Sequence, residues 1–237
     1  MAILATGDEL LEPGSDYVKG KIYDSNTSTL IAAVESVGGI ALSLGVAADD
    51  AVTLRSKLEQ AADCDLIITS AGVSKGDYDL VKDVLEEQGN LEFWSVRMRP
   101  AKPLAFGNLN FLKRPDPVPL LGLPGNPVST FVAFEQFARP AIRLMMGKPL
   151  LERPTIKASL VDTIHNYDGR RVYARVSVWK DEDVGVYYAQ TTGSQESNIL
   201  TALAYANGLG ICPEDVSKLE PGDMVEVMML DWPEEMI

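Results

Sequence analysis

Histidine occurs once in the 237 residues, at position 165, and cysteine twice, at 64 and 212. A single imidazole after a strand-like run leaves no triad, Cys-His pair or histidine-rich metal site to assemble, and His165 reads as an ordinary structural residue. The cysteines lie far apart and neither belongs to a Cys-x-x-Cys pair, which argues against a zinc ribbon or a disulfide framework. They point instead to two buried, reduced thiols in a cytoplasmic protein. Basic charge is also scarce: 21 Lys and Arg stand against 34 Asp and Glu, a net charge of −13. Nucleic acids and anionic membranes need a basic field, so neither is expected as a partner. No run reaches the roughly 18 apolar residues of a membrane span. GxxxxGK[ST] and GxGxxG are both missing, which argues against a P-loop and a dinucleotide fingerprint. No internal repeat or low-complexity tract is visible.

What is present is a 46% hydrophobic, 23% charged chain of globular composition. It starts on core sequence, "MAILAT", directly after Met1, so we expect a piece of a longer protein whose N-terminal part lies outside this chain. Through residue 147 short apolar runs alternate with helical patterns. "AILAT", "IALSLGVA", "CDLIITS" and "VPLLGL" read as buried strands. "DSNTSTLIAAVESVGG", "DAVTLRSKLEQAA", "DYDLVKDVLEEQG" and a segment from Pro127 to about Met146 read as helices. "LEFWSVRM" and "LAFGNLNFLK" read as further strands, the second expected to turn as a hairpin at Gly107-Asn108. Strands alternating with helices predict a three-layer α/β/α domain with a mostly parallel sheet. After a linker at 148–154 the pattern changes to period-two runs, "TIKASLVDTI", "RRVYARVSVW", "GVYYAQTT" and "DMVEVMML". These predict a small antiparallel, barrel-like β domain over 155–237.

In an open α/β sheet, ligands bind outside the carboxyl ends of the strands. The residues after each expected strand are therefore the candidate rim: Thr6, Gly7, Asp8 and Glu9; Asp49 and Asp50; Ser70, Gly72, Ser74, Gly76, Asp77 and Asp79; and "LPGNPVS". In that last turn Pro124, Gly125, Asn126 and Ser129 lead into a helix, with Asn126 suited to the N-cap and Pro127 to the first helical position. Asp50 and Asp77 read as caps or solvated charges. For the rest, glycines let backbone N–H groups face a phosphate, and carboxylates can hold a hard divalent cation. The implied ligand is a phosphate-bearing small molecule with magnesium. "RMRPAKP" adds Arg99 and Lys102, three residues apart, as a local basic spot able to converge on one oxyanion.

"TGDEL", "SAGVSKGDYD", "RPAKP" and "LPGNPVS", in that order and followed by a small β domain, closely resemble the molybdopterin molybdenumtransferases, the MoeA proteins of bacteria and the gephyrin E domain. The resemblance runs from Ile3 to about Met229. It implies magnesium-dependent insertion of molybdate into adenylated molybdopterin, releasing AMP, by a protein that carries further N-terminal domains and works as a homodimer. Glu9, Asp49 and Asp79 match the functional carboxylates, for metal binding and positioning of the adenylated phosphate. Ser74 matches the serine of the glycine-rich loop, and Arg99 and Lys102 match the two lysines of the usual KPGKP stretch. Ser129 matches the serine after "LPGNP". In the second domain Arg175 and Ser197 match the arginine and serine that complete the molybdate pocket. Three departures stand out: Arg99 for lysine, Ala71 for the second glycine of SGGVS, and Glu196 for a glycine beside the pocket serine. Two other enzyme readings fit parts of the chain: molybdopterin adenylyltransferase, and a competence-damage-inducible-type nucleotide pyrophosphatase, which shares "GDELL". A non-catalytic dimeric scaffold is a third.

Overall fold

The five residues after Met1 form β1 (Ala2–Thr6), and all five are buried, as a strand covered on both faces must be. In the computed structural model, which describes residues 1–71, 84, 87, 89–112 and 114–233, β1 lies inside a six-stranded sheet. Parallel neighbours flank it, β4 (Leu42–Ala47) and β5 (Ile67–Ser70), and β9 (Arg114–Leu123) runs parallel to β5. β8 (Pro103–Phe111) and β6 (Gly89–Ser95) extend that edge antiparallel, giving the order β4-β1-β5-β9-β8-β6. Two short strands after β1, β2 (Leu10–Leu11) and β3 (Ile22–Tyr23), pair with each other.

Helices cover the sheet. Ala2 and Leu4 share a core with Leu54 and Leu58 of α2 (Ala51–Glu59). The pleat turns Ile3 and Ala5, also fully buried, to the opposite face. α1 (Asn26–Ser36) packs against α3 (Pro127–Ala133), which continues through a π-helical turn, Phe134–Ala138, into α4 (Arg139–Met145). Asn126 is the N-cap and Pro127 the first helical residue, as their chemistry predicts, although the Asn126 side chain makes no capping bond. Asp50 does cap: its carboxylate accepts from the Thr53 N–H at 2.8 Å. Of the helix expected in "DYDLVKDVLEEQG", Val84, Glu87 and Gly89 fall among the described residues; the first two are helical and Gly89 instead opens β6.

Two strand expectations need correction. β8 runs unbroken through Gly107-Asn108, and the turn to β9 follows Phe111 instead. Gly107 is bare for a different reason: a Cβ there would sit 2.0 Å from the Asn90 carbonyl, so the close approach of β6 and β8 requires glycine. "LEFWSVRM" is likewise two elements. β6 ends at Ser95, and β7 (Met98–Arg99) pairs instead with a strand of the second unit.

That second unit comprises Arg97–Pro100 and Lys148–Ile237; the first comprises Met1–Val96 and Ala101–Gly147. In the second, β10 (Thr155–Leu160), β16 (Met224–Met229), β14 (Gly208–Cys212), β12 (Arg171–Asp181) and β13 (Val186–Thr191) pair in that order, and β13 pairs back to β10. The result is a closed five-stranded barrel, which leaves those strands no open edge. Val172, Ala174, Val176 and Val178 alternate inward along β12 to meet Ala158, Ala189, Val225 and Val227. β11 (Ile164–His165) pairs with β15 (Lys218–Leu219), and a short α5 (Leu200–Ala204) precedes β14. Both cysteines are buried and unpaired.

Candidate functional site

Parallel β4, β1, β5 and β9 end at one edge of the first unit's sheet, so the loops that follow them form one rim. Antiparallel β8 begins at that edge, which brings the exposed Lys102 to it. After β1, the Gly7 N–H donates to the Ala47 carbonyl, and Gly7 has φ +146°. Glu9 folds over it so closely that a Cβ on Gly7 would lie 2.4 Å from the Glu9 carboxylate. The next residue ties the loops together: the Asp8 N–H donates to the Asp49 carboxylate at 3.3 Å, and the Asp49 N–H to the Asp8 carboxylate at 3.0 Å. Glu9 and Asp49, the expected metal-binding carboxylates, are thus both on this rim. Asp79, Gly72, Ser74 and Gly76 lie outside the described residues.

Thr6, Ser70 and Ser129 are buried and form the floor of the rim rather than its surface. Ser70 leads to Ala71, whose φ of +76° lies in the left-handed region. Ala71 donates its N–H to Leu123, and its methyl group faces Gly125. Asn26, missed by the sequence reading, reaches the same turn. Its Nδ2 donates to the Gly125 carbonyl at 2.7 Å, which fixes the amide orientation because a carbonyl can only accept. Its Oδ1 is then buried with no partner among the described residues, an acceptor waiting for an N–H or O–H. Two residues earlier, the buried Asp24 carboxylate accepts from the Asn26 and Thr27 N–H groups and so caps α1.

The second unit gathers arginines. Pairing of β7 with β12 sets Met98 beside Arg171 and Arg99 beside Val172. The Arg99 guanidinium donates to the His165 carbonyl, lies 3.9 Å from Asp168 and sits over the Tyr167 ring at 5.5 Å. Tyr167 in turn stacks on His165. Arg170 grips Asp168 and holds its carboxyl below the usual carboxylate range. Arg97 donates to the Gly169 carbonyl.

Arg175 is the unusual member. Its neighbours Ala174 and Val176 point into the barrel, so it points outward, yet it is only 1% exposed. Nη1 and Nη2 reach the Tyr173 and Glu196 carbonyls at 3.4 Å, and Nε is buried with no partner among the described residues. Burial, reinforced by the charge of Arg99 and opposed by Glu196, pulls this guanidinium down to about 10. A buried cation whose contacts among the described residues are long ones to neutral carbonyls costs several kcal/mol, on the order of the effective desolvation penalty per ion. An incoming anion would relieve it. The segment after β13 is pinned against this residue. Gln195 accepts from the Arg175 N–H at 2.8 Å and donates to the Arg175 carbonyl at 3.2 Å, and the Thr192 N–H donates to the same carbonyl.

The structure therefore brings Arg99 and Arg175 into one electrostatic neighbourhood and sets Glu196 and Ser197 on the segment beside them. Lys102 belongs to the first unit, and Arg99 to the second. Among the described residues no three His, Cys, Asp or Glu side chains converge as a metal site. Glu9 and Asp49 nonetheless supply carboxylate oxygens, the donors a hard cation takes.

Comparison with known proteins covers nearly the whole chain. Residues 2–144 match the family model "Probable molybdopterin binding domain", and residues 157–230 match "MoeA C-terminal region (domain IV)". Molybdopterin molybdenumtransferase 2 of Mycobacterium tuberculosis is 38% identical over 232 residues, which cover 95% of this chain and 55% of that protein. Gephyrin of Dictyostelium discoideum is 34% identical over 97% of this chain and 36% of its own length. A crystal structure of the molybdopterin biosynthesis MoeA protein from Pyrococcus horikosii superposes with a TM-score of 0.79 at 28% identity, covering 98% of this chain and 54% of that one. The chain spans about half the length of the molybdenumtransferases it matches.

Proposed function

The chain belongs to the molybdopterin binding domain family and carries a MoeA C-terminal region behind that domain, and on that premise we propose that it is the part of a molybdopterin molybdenumtransferase that holds adenylated molybdopterin and molybdate during insertion of the metal, with release of AMP. The observation that carries the reading is Arg175, a buried guanidinium that among the described residues has no carboxylate contact and no partner for its Nε. Molybdate is a tetrahedral dianion and needs donors from several directions. In the second unit Arg175 and Arg99 supply charged N–H groups and Ser197 a hydroxyl; in the first unit the Lys102 ammonium and the Ser129 hydroxyl are the residues we assign as oxyanion donors. The boundaries we assign are 1–147 for the molybdopterin-binding domain and 155–237 for the β domain.

The rim residues take the adenylated pterin. We assign Thr6, Gly7, Ser70, Gly72, Ser74 and Gly76 to its phosphate-bearing end, the Gly7 N–H itself being held by the Ala47 carbonyl, and Pro124, Gly125 and Asn126 to the turn that receives it. Asn26 Oδ1 accepts a ligand N–H or O–H there. Glu9, Asp49 and Asp79 would hold magnesium, which when bound neutralises charge on the departing phosphate. Cleavage of the phosphoanhydride needs an oxygen nucleophile and no covalent protein intermediate, in keeping with one histidine and two buried cysteines. In the longer protein we expect a homodimer at work in the cytoplasm. The MoeA C-terminal region favours this reading over an adenylyltransferase or a nucleotide pyrophosphatase, neither of which gives that region a role.

Calorimetric titration of the chain with adenylated molybdopterin, with and without Mg²⁺, tests the proposal. Magnesium-dependent binding that disappears in Asp79→Ala is the expected result. Binding indifferent to both magnesium and Asp79 would overturn the metal-binding assignment, and no binding at all would overturn the assignment of the ligand to this chain.

A further inference from the structure

Arg175 is screened from water by the protein itself. The segment 192–199 covers it, and Glu196 is the acidic residue whose charge acts on it. Its placement is built in. Gln195 uses both ends of its amide on the Arg175 main chain, and Thr192 donates its N–H to the Arg175 carbonyl and its hydroxyl to the Ala202 carbonyl. Those bonds leave the next residue little freedom, and the Glu196 carbonyl accordingly accepts from Arg175 Nη2 at 3.4 Å. Glu196 itself is exposed, so its carboxylate stays hydrated and adjustable. Its backbone and its charge therefore both address the same buried guanidinium.

We propose that Glu196 is a resident counter-charge for Arg175, which an incoming tetrahedral oxyanion must outcompete, and that it sets both the affinity of the site and its discrimination between dianions and monoanions. The inference rests on the oxyanion reading of Arg175 given above. An unpaired buried cation is costly, and a nearby carboxylate offsets part of that cost. The same carboxylate repels any bound anion, with an energy proportional to the anion's charge. A dianion is thus penalised twice as much as a monoanion of the same shape, so the fold-change for the dianion should be the square of that for the monoanion.

Molybdate and perrhenate supply that pair, since both are tetrahedral oxyanions and carry two charges and one. Dissociation constants for each would be measured on the whole chain, as wild type, Glu196→Gln and Arg175→Met. Because Glu196 is exposed, the Glu196→Gln chain should fold as the wild type does, and a thermal melt checks this. The expected result is that Glu196→Gln tightens molybdate on the order of tenfold and perrhenate by roughly its square root, threefold. Unchanged or weaker molybdate binding in Glu196→Gln, with binding lost in Arg175→Met, would overturn the role of Glu196 and leave the oxyanion site standing. Equal tightening of both anions would also overturn it, because a rearrangement of the loop takes no account of anion charge. Binding that is absent in every chain, or untouched by Arg175→Met, removes the oxyanion reading and this inference with it.

Discussion

The methyl group of Ala71 faces the Cα of Gly125, so that a Cβ built on Gly125 would stand 3.2 Å from it, and Ala71 holds φ at +76°. An L-residue in the left-handed region carries roughly 1–2 kcal/mol of steric cost. Ala71→Gly relieves that cost but loosens the unfolded chain, so we expect a net gain of about 0.5 kcal/mol by denaturant unfolding. Gly125→Ala should cost about 1 kcal/mol alone and less in the Ala71→Gly background, since the crowding partner is then absent. A double-mutant cycle with zero coupling would contradict this packing.

Arg175→Met should separate stability from binding. Replacing a buried charge by an apolar chain of similar length is often neutral or stabilising by about 1–4 kcal/mol, because desolvation outweighs weak pairing. The thermal midpoint should therefore hold or rise while molybdate binding is lost. A large fall in the midpoint would mean that the arginine supports the barrel rather than a ligand.

Asp8 and Asp49 hold each other's N–H groups, but only Asp49 is assigned to the metal. Asparagine keeps the acceptor oxygen and removes the charge. Asp49→Asn should stay within about 0.5 kcal/mol of wild type, as surface substitutions do, yet lose the magnesium dependence of adenylated molybdopterin binding. Asp8→Asn should keep both. The reverse pattern would exchange their roles.

Asp50 contributes on the acid side. The hydrogen bonds from Thr53 hold its carboxyl below the ordinary value of 3.8. A depressed folded value means that the unfolded chain takes up the proton first. The stabilisation is therefore present above about pH 4 and is lost as pH falls through the lower folded value. Asp50→Asn keeps an N-cap acceptor without the titration, so its melting temperature should fall less steeply than that of wild type below pH 4. Parallel curves would exclude Asp50 as a contributor.

The alternation of buried runs and helical patterns made the first domain legible in the sequence, because strand and helix periods are local properties. The end of each parallel strand then gave the rim residues, Glu9, Asp49 and the "LPGNP" turn, without further information. Period two likewise gave the β domain, and the turn chemistry placed Asn126 and Asp50 at helix starts. Four features were decided only in the fold. Gly107 reads as a turn residue but is a point of contact between β6 and β8, which depends on a strand about 17 residues away. Ala101, at the glycine position of the KPGKP stretch, takes φ +75°, a backbone state that composition does not reveal. Met98 and Arg99 leave the sheet of their neighbours to pair with Arg171 and Val172, more than 70 positions along the chain. The burial of Arg175 is of the same kind. Alternation along β12 sets it outside the barrel, and the segment carrying Gln195 and Glu196 lies against it. Local periodicity decides which face a side chain takes, whereas long-range packing decides what covers that face, and the charge of this site depends on the covering.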